Sequence, residues 1–302
     1  MRLTLAGQTI EVPSGGYLIL AGPTAVGKTT ISQHIAEQTP VEIISADSRQ
    51  VYRGMDIGTA TPSPELLERI PHHFINELTP DIVWSAGQFY REARQRIRDI
   101  LKRGKLPLVV GGTGLYLDAL RNGLFKEPPR KAAVREKYEA ELNRVGAELL
   151  WQRLNDIDPE YAALFHHHDI KKLVRAFEIF ELTGMPPTQA FARSRDPFEI
   201  ESVMAILNRP RAELYERINQ RVERMVVEGL IRECENLLAA GYEPTLYPLK
   251  TIGYKETFAY LDGTISQAEM IASIQQATRN FAKRQLTWFR NHPFKYWIEL
   301  ED

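Results

Sequence analysis

Residues 17 to 38 decide the fold: Tyr17-Leu18-Ile19-Leu20-Ala21, then Gly22-Pro23-Thr24-Ala25-Val26-Gly27-Lys28-Thr29, then a stretch from Thr30 to Gln38. The first run is uniformly apolar, as expected of a strand buried on both faces. The last has the texture of a helix. Between them stands G-x-x-x-x-G-K-[ST], in the strand-to-helix setting that gives the motif its meaning. Glycines let successive backbone N–H groups converge on phosphate oxygens, and the helix start adds positive potential. Lys28 brings a full charge, and the Thr29 hydroxyl can ligate Mg²⁺. A diphosphate or triphosphate is therefore expected along Gly22–Thr29. Hydrolysis of ATP does not follow from that.

Further out, Thr9-Ile10-Glu11-Val12 reads as a strand of an N-terminal hairpin. Val41–Ser45 is a second buried strand ending at Asp47, and Leu106–Val110 a third, ending at Gly111-Gly112-Thr113-Gly114. With a helical stretch at Ala86–Arg103 between them, the pattern implies βαβ units and a parallel sheet. After Pro128-Pro129 the texture becomes charged and helical, and Val203–Leu207 returns as a strand. Residues 211–239 and 265–290 read as two long helices. The expected fold is α/β: a P-loop NTPase-like parallel sheet flanked by helices, with residues 1–125 and 199–302 forming the core and 126–198 an all-helical insertion.

The composition bounds the function. The chain has 302 residues, 43% of them apolar, with no apolar run long enough for a membrane span and no secretory start. The lone Cys234 excludes an internal disulfide and a cysteine-rich zinc module. A cytosolic monomer without membrane contact is expected. The net charge of −1 does not suggest a general polyanion binder, so any nucleic-acid surface must come from local clustering. One such cluster exists: five basic residues and no acidic one lie between Arg279 and Lys295. On a helix, Arg279, Lys283 and Arg290 share a face, while Phe281, Trp288 and Phe289 lie towards the other. A wet basic face on an ordinary amphipathic helix has the same pattern.

Asp47 stands at a strand end beside the phosphate loop, where ligands of open α/β sheets bind. From position alone it can be a proton acceptor, an outer Mg²⁺ partner or a cap on the following turn. The run His166-His167-His168 is read as a solvated turn, because three consecutive residues on a helix cannot point one way and no cysteine or glutamate completes a metal set.

Several stretches together resemble one family, the tRNA dimethylallyltransferases, also called tRNA isopentenyltransferases. They are Gly22–Thr29, Ile44–Ala60, Val110–Tyr116, Arg217–Arg221, Ile252–Glu256 and Ala282–Arg290, in the family's order. The resemblance implies that the loop holds the diphosphate of dimethylallyl diphosphate, with Mg²⁺. It implies that Asp47 is the general base towards an adenine N6 amine, with Thr113, Arg221 and Lys28 near the reacting diphosphate. It further implies tRNA contacts from Asp47, Ser48, Arg49, Gln50 and Thr113, and from Arg135, Lys171, Lys172 and Arg175 in the insertion. C-terminal contacts would come from Lys250, Gly253, Tyr254 and Lys255, and from Lys283, Arg284, Gln285, Thr287, Trp288 and Arg290. The substrate so implied is the adenosine immediately 3′ of the anticodon, in the anticodon stem-loop. Two departures are visible: Val26 where the family often has serine, and Phe165–Asp169 in the insertion.

An allylic diphosphate ionises readily, so its enzyme must chiefly stabilise the departing charge. The exocyclic amine is a weak nucleophile and needs a proton acceptor within reach. Three rival readings remain: a small-molecule kinase or NTPase using the loop for ATP, an adenylate isopentenyltransferase acting on free nucleotide, and an RNA-binding regulator without turnover.

Overall fold

The strand leading into the phosphate loop occupies an inner position in the sheet, with paired neighbours on both sides. The computed structural model describes residues 1–124, 131–194, 196–292 and 296–300. A hairpin of β1 (Arg2–Leu5) and β2 (Gln8–Glu11) precedes β3 (Tyr17–Ala21), α1 (Lys28–Gln38) and β4 (Val41–Ala46). Then come α2 (Pro64–Arg69), β5 (His72–His73), α3 (Ala86–Lys102), β6 (Leu106–Gly111) and α4 (Gly114–Asn122). Five helices follow: α5 (Ala132–Val145), α6 (Ala147–Ile157), α7 (Pro159–Ala162), α8 (Ile170–Thr183) and α9 (Pro187–Ser194). The chain closes with β7 (Ser202–Asn208), α10 (Arg211–Glu228), α11 (Leu230–Ala239), a 3₁₀ turn at Tyr247–Lys250, α12 (Tyr254–Leu261), α13 (Gln267–Arg290) and β8 (Tyr296–Glu299).

The main sheet has the order β5-β4-β6-β3-β7-β8, and every neighbouring pair is parallel. Side chains alternate between two cores. Ile19, Ile44 and Val109 point into one with Phe89 and Ile97 of α3, while Leu18, Ile43 and Leu108 point into the other with Ile35 of α1 and Ile218 of α10. Burial on both faces explains why these strands read as unbroken apolar runs. The order also sets the carboxyl ends of β3, β4 and β6 side by side. Those ends carry the phosphate loop, Asp47 and the Gly111–Gly114 turn.

The chain divides into two compact units, one of Met1–Arg121 with Phe198–Asp302 and one of Asn122–Pro197. The expected start of the insertion at 126 lies outside the described residues. Among the described residues the second unit is wholly helical, around Tyr138, Leu150, Leu154, Leu173 and Phe177. Its two ends meet: a Cβ added to Gly123 would lie 2.6 Å from the Asp196 backbone.

One expectation fails. Residues 211–239 are not a single helix, because Gly229 adopts a left-handed φ of 109° and separates α10 from α11. Among the described residues, no helix is long and apolar enough to cross a membrane.

Candidate active site

The loop between β3 and α1 is built so that most of its carbonyls are occupied while the amides at its helix end are not. Gly22, with φ 154°, passes so close to β7 that a Cβ would sit 2.9 Å from the Leu207 carbonyl oxygen. Ala25 holds a left-handed φ of 64°, a strain of about 1 kcal/mol for a non-glycine residue. Arg217 Nε donates to the Ala25 carbonyl at 3.1 Å and Arg209 Nε to the Val26 carbonyl at 3.0 Å. The N–H groups of Gly27, Lys28 and Thr29 meet no protein acceptor among the described residues, as at any helix start, and an anion can use them. The Val26 side chain is fully buried in the core, so its replacement of a polar residue leaves this cradle intact.

Around the loop lies a cavity of about 290 Å³ lined by Lys28, Thr29, Asp47, Gln220 and the arginines 217, 221 and 224. Lys28 Nζ donates to the carbonyls of Gly22 and Pro23, at 3.0 and 2.8 Å. Burial, helped by the neighbouring Arg221 cation, pushes the Lys28 ammonium down from 10.5 to about 8, against the pull of Asp47. Burial likewise holds the Arg221 guanidinium below its ordinary range, with Asp47 opposing. Cations this poorly solvated gain strongly from a polyanion beside them. The Thr29 hydroxyl and Asp47 carboxylate line the same space, and such hard oxygen donors fit Mg²⁺.

A second cavity, of about 350 Å³, adjoins the first and is more apolar, with Ile218, Val222, Met225, Ile252, Ile274 and Phe281 in its walls. Five residues line both: Thr24, Asp47, Thr59, Arg221 and Phe281. Asp47 Oδ1 accepts the Arg49 N–H at 2.8 Å, an Asx-type turn that fixes the carboxylate at the end of β4. Its Oδ2 receives no protein hydrogen bond among the described residues. Arg221 reaches towards Thr24 Oγ1 and the Thr59 carbonyl, at 3.4 and 3.5 Å. Thr113 lines the apolar cavity and a third one beside Trp288 and His292, but not the space around Lys28.

The residues expected to meet RNA divide into two groups. Ser48, Arg49, Lys250 and Arg284 line the apolar cavity, and Arg49 lies 4.5 Å from the Tyr247 ring centre. Lys255, Lys283, Thr287 and Arg290 are exposed, and Trp288 is half-buried. Gln50 and Gln285 line the cationic cavity and also hydrogen-bond within the protein, while Tyr254 is turned inward. Gln50 accepts from Ser45 Oγ and donates towards the Thr59 and Ala60 carbonyls. Gln285 accepts the Thr24 N–H and donates to the Gly112 carbonyl, both at 2.9 Å, clipping α13 to the phosphate loop. Tyr254 is fully buried, and Gly253 caps α12 at the apolar cavity wall.

Within the helical unit, Arg135 pairs with Glu139 and Lys172 with Asp169, both on the surface, and Lys171 is exposed. Arg175 is half-buried and paired with Glu178 at 2.6 Å. His166–His168 sit on a turn before α8, not on a helix, and their ring nitrogens do gather within 4.8 Å.

On α13 the basic stripe is thinner than its spacing implies, since Arg279 is half-buried and bonded to Asn219 at 2.6 Å. Phe281, expected to pack, is 36% exposed at the cavity mouth. Sequence reasoning also passed over Arg217, Arg224 and Thr59. The i, i+4, i+7 spacing of Arg217, Arg221 and Arg224 is the signal that could have found two of them.

Comparison with known proteins agrees with this geometry. The family model for IPP transferase matches residues 50–292. The chain is 44% identical over 283 residues to the tRNA dimethylallyltransferase of Geobacter sulfurreducens, covering 93% of this chain and 91% of that one. Its structure is similar to the tRNA isopentenylpyrophosphate transferase of Bacillus halodurans, with a TM-score of 0.70 and 40% identity over 95% of this chain and 90% of the other. It is also similar to a eukaryotic dimethylallyltransferase acting on tRNA, with a TM-score of 0.78 and 27% identity over 94% of this chain and 73% of that one. A match spanning nearly the whole chain, with the phosphate loop and Asp47 at the carboxyl ends of the two strands that flank β6, means that this protein belongs to the IPP transferase family.

Proposed function

We propose that this protein transfers the dimethylallyl group of dimethylallyl diphosphate to N6 of the adenosine immediately 3′ of the anticodon in tRNA. One observation carries the reading: Asp47, Thr24, Thr59, Arg221 and Phe281 line both the cationic cavity and the apolar one. A diphosphate held by Lys28, Arg221 and the loop amides would bring its allylic carbon to that shared wall, with Phe281 offering apolar surface to the hydrocarbon. The adenine amine would meet the carbon there. The N6–C1 bond forms as the C1–O bond breaks, the electron pair leaves on the diphosphate, and the N6 proton passes to Asp47 Oδ2. Lys28 and Arg221 stabilise the departing charge. Mg²⁺, held through Thr29, would add charge neutralisation on the diphosphate when bound. A base in a single-stranded loop reaches such a cavity more cheaply than one in a duplex.

Incubation with dimethylallyl diphosphate, Mg²⁺ and unmodified tRNA, followed by nucleoside mass analysis, tests the proposal. Prenylated adenosine from tRNA supports it. Prenylation of AMP instead would favour the free-nucleotide enzyme, and ATP turnover without prenyl transfer would favour a kinase.

A further inference from the structure

The turn at residues 56–58 is stapled by one acidic side chain from α11. Glu233 Oε2 accepts the N–H groups of Asp56 and Ile57, both at 2.8 Å, and Oε1 accepts the Gly58 N–H at 3.0 Å. The Tyr254 hydroxyl completes the set, donating to Oε1 at 2.6 Å. Four donors thus converge on two oxygens, which together have room for about four. Tyr254 remains a neutral donor, since burial and the adjacent Glu233 charge hold its hydroxyl well above the ordinary range. Its ring lies flush on Gly58, where an added Cβ would come within 2.4 Å of it.

What Glu233 joins is the significant point. Gly58 and Thr59 form one wall of the apolar cavity, and Lys250, Thr251, Ile252 and Gly253, leading directly into Tyr254, form another. The Thr59 carbonyl also receives Gln50 and Arg221. Resting on the transfer reaction set out above, we propose that Glu233 is a positioning residue, whose carboxylate ties these two walls together and holds the Thr59 carbonyl against Arg221. No group on Glu233 touches the reacting atoms, so it acts through the geometry of its partners.

Glu233→Gln is the sharpest test because it keeps the size and removes the acceptor match: an amide presents an NH₂ to N–H groups that need an oxygen. Tyr254→Phe removes a single donor and provides the milder case. Wild type and both variants are compared by steady-state transfer, thermal midpoint and amide hydrogen exchange. For Glu233→Gln, kcat per folded molecule is expected to fall roughly 10- to 100-fold, as for other small misplacements of catalytic geometry. The tRNA KM should rise, and exchange should quicken at 56–59 and 250–254 while the sheet stays protected. Tyr254→Phe should show the same pattern more weakly. A fall in activity no larger than the loss of folded protein, with both KM values unchanged, would overturn the proposal. If the wild type itself transfers nothing, the transferase reading fails. The exchange measurement still decides the tie, since unchanged protection of both walls in Glu233→Gln refutes it.

Discussion

Lys28 carries a conflict that makes it measurable. In the proposed reaction its ammonium holds the diphosphate, yet burial beside Arg221 brings its proton affinity down to about 8. Dimethylallyl diphosphate should therefore bind well below that value and weaken as pH rises through it, levelling off only where the bound form, with its raised pKa, also loses the proton. Calorimetric titration across pH 7 to 10 checks this. A flat profile would mean that the ammonium stays charged throughout. The same depression destabilises the charged folded form, so on this residue's account stability rises between about 8 and the ordinary 10.5. Asp47 has a different test. Asp47→Ala should lower transfer by roughly 10²- to 10⁴-fold while tRNA binding stays within several-fold, and near-normal turnover would remove it from the base role. The placement of Lys28 and Thr29 in the cationic cavity could be read from the motif itself, because phosphate chemistry dictates the residue types. That of Glu233 could not, since one acidic residue on an amphipathic helix looks like any solvated charge until the turn it caps is folded beside it.

At the scale of elements, β4 shows how the sheet is fastened near its edge. Glu42 is nearly buried and receives Arg103, Lys105 and His73, from the end of α3, the approach to β6 and β5. Hydrogen bonding to Arg103 holds its carboxyl down at about 2, with burial opposing and His73 and Lys105 assisting. Glu42 is ionised in both states above the ordinary glutamate range, so its contribution is complete there and is lost as pH falls from about 4.5 towards 2. Glu42→Gln should cost about 2 kcal/mol at neutral pH, in the range for hydrogen bonds to a charged group. It should also flatten the acid limb of a denaturation curve, which urea melts at pH 7 and 4 would reveal. The long apolar strands were legible because burial on both faces leaves no alternation to misread. The two-residue β5 and the short β8 were not, since edge strands this brief carry no pattern of their own. The break at Gly229 was lost because the apolar period of α10 continues across it into α11.

For the molecule as a whole, recognition of tRNA has to be built on a chain with no net positive charge. Lys283→Ala with Arg290→Ala should weaken tRNA binding and flatten its dependence on salt, because each phosphate contact contributes to the slope. Binding isotherms at several ionic strengths measure it, and an unchanged slope would show that α13 does not touch phosphate. That the motif stretches at 22–29, 44–60 and 217–221 would line one pair of cavities was readable in advance, because a run of motifs in one order constrains the fold more than any residue does. Less legible were the internal partners of Gln285, Tyr254 and Arg175, whose polar groups look free in a string of letters and are bonded to neighbours in the fold. The abutment of Gly123 on Asp196 has a consequence for the chain's history. A segment that departs and rejoins at a single doorway leaves no gap in the sheet for its length to fill, so it can grow, shrink or be exchanged between lineages without altering which strand lies next to which.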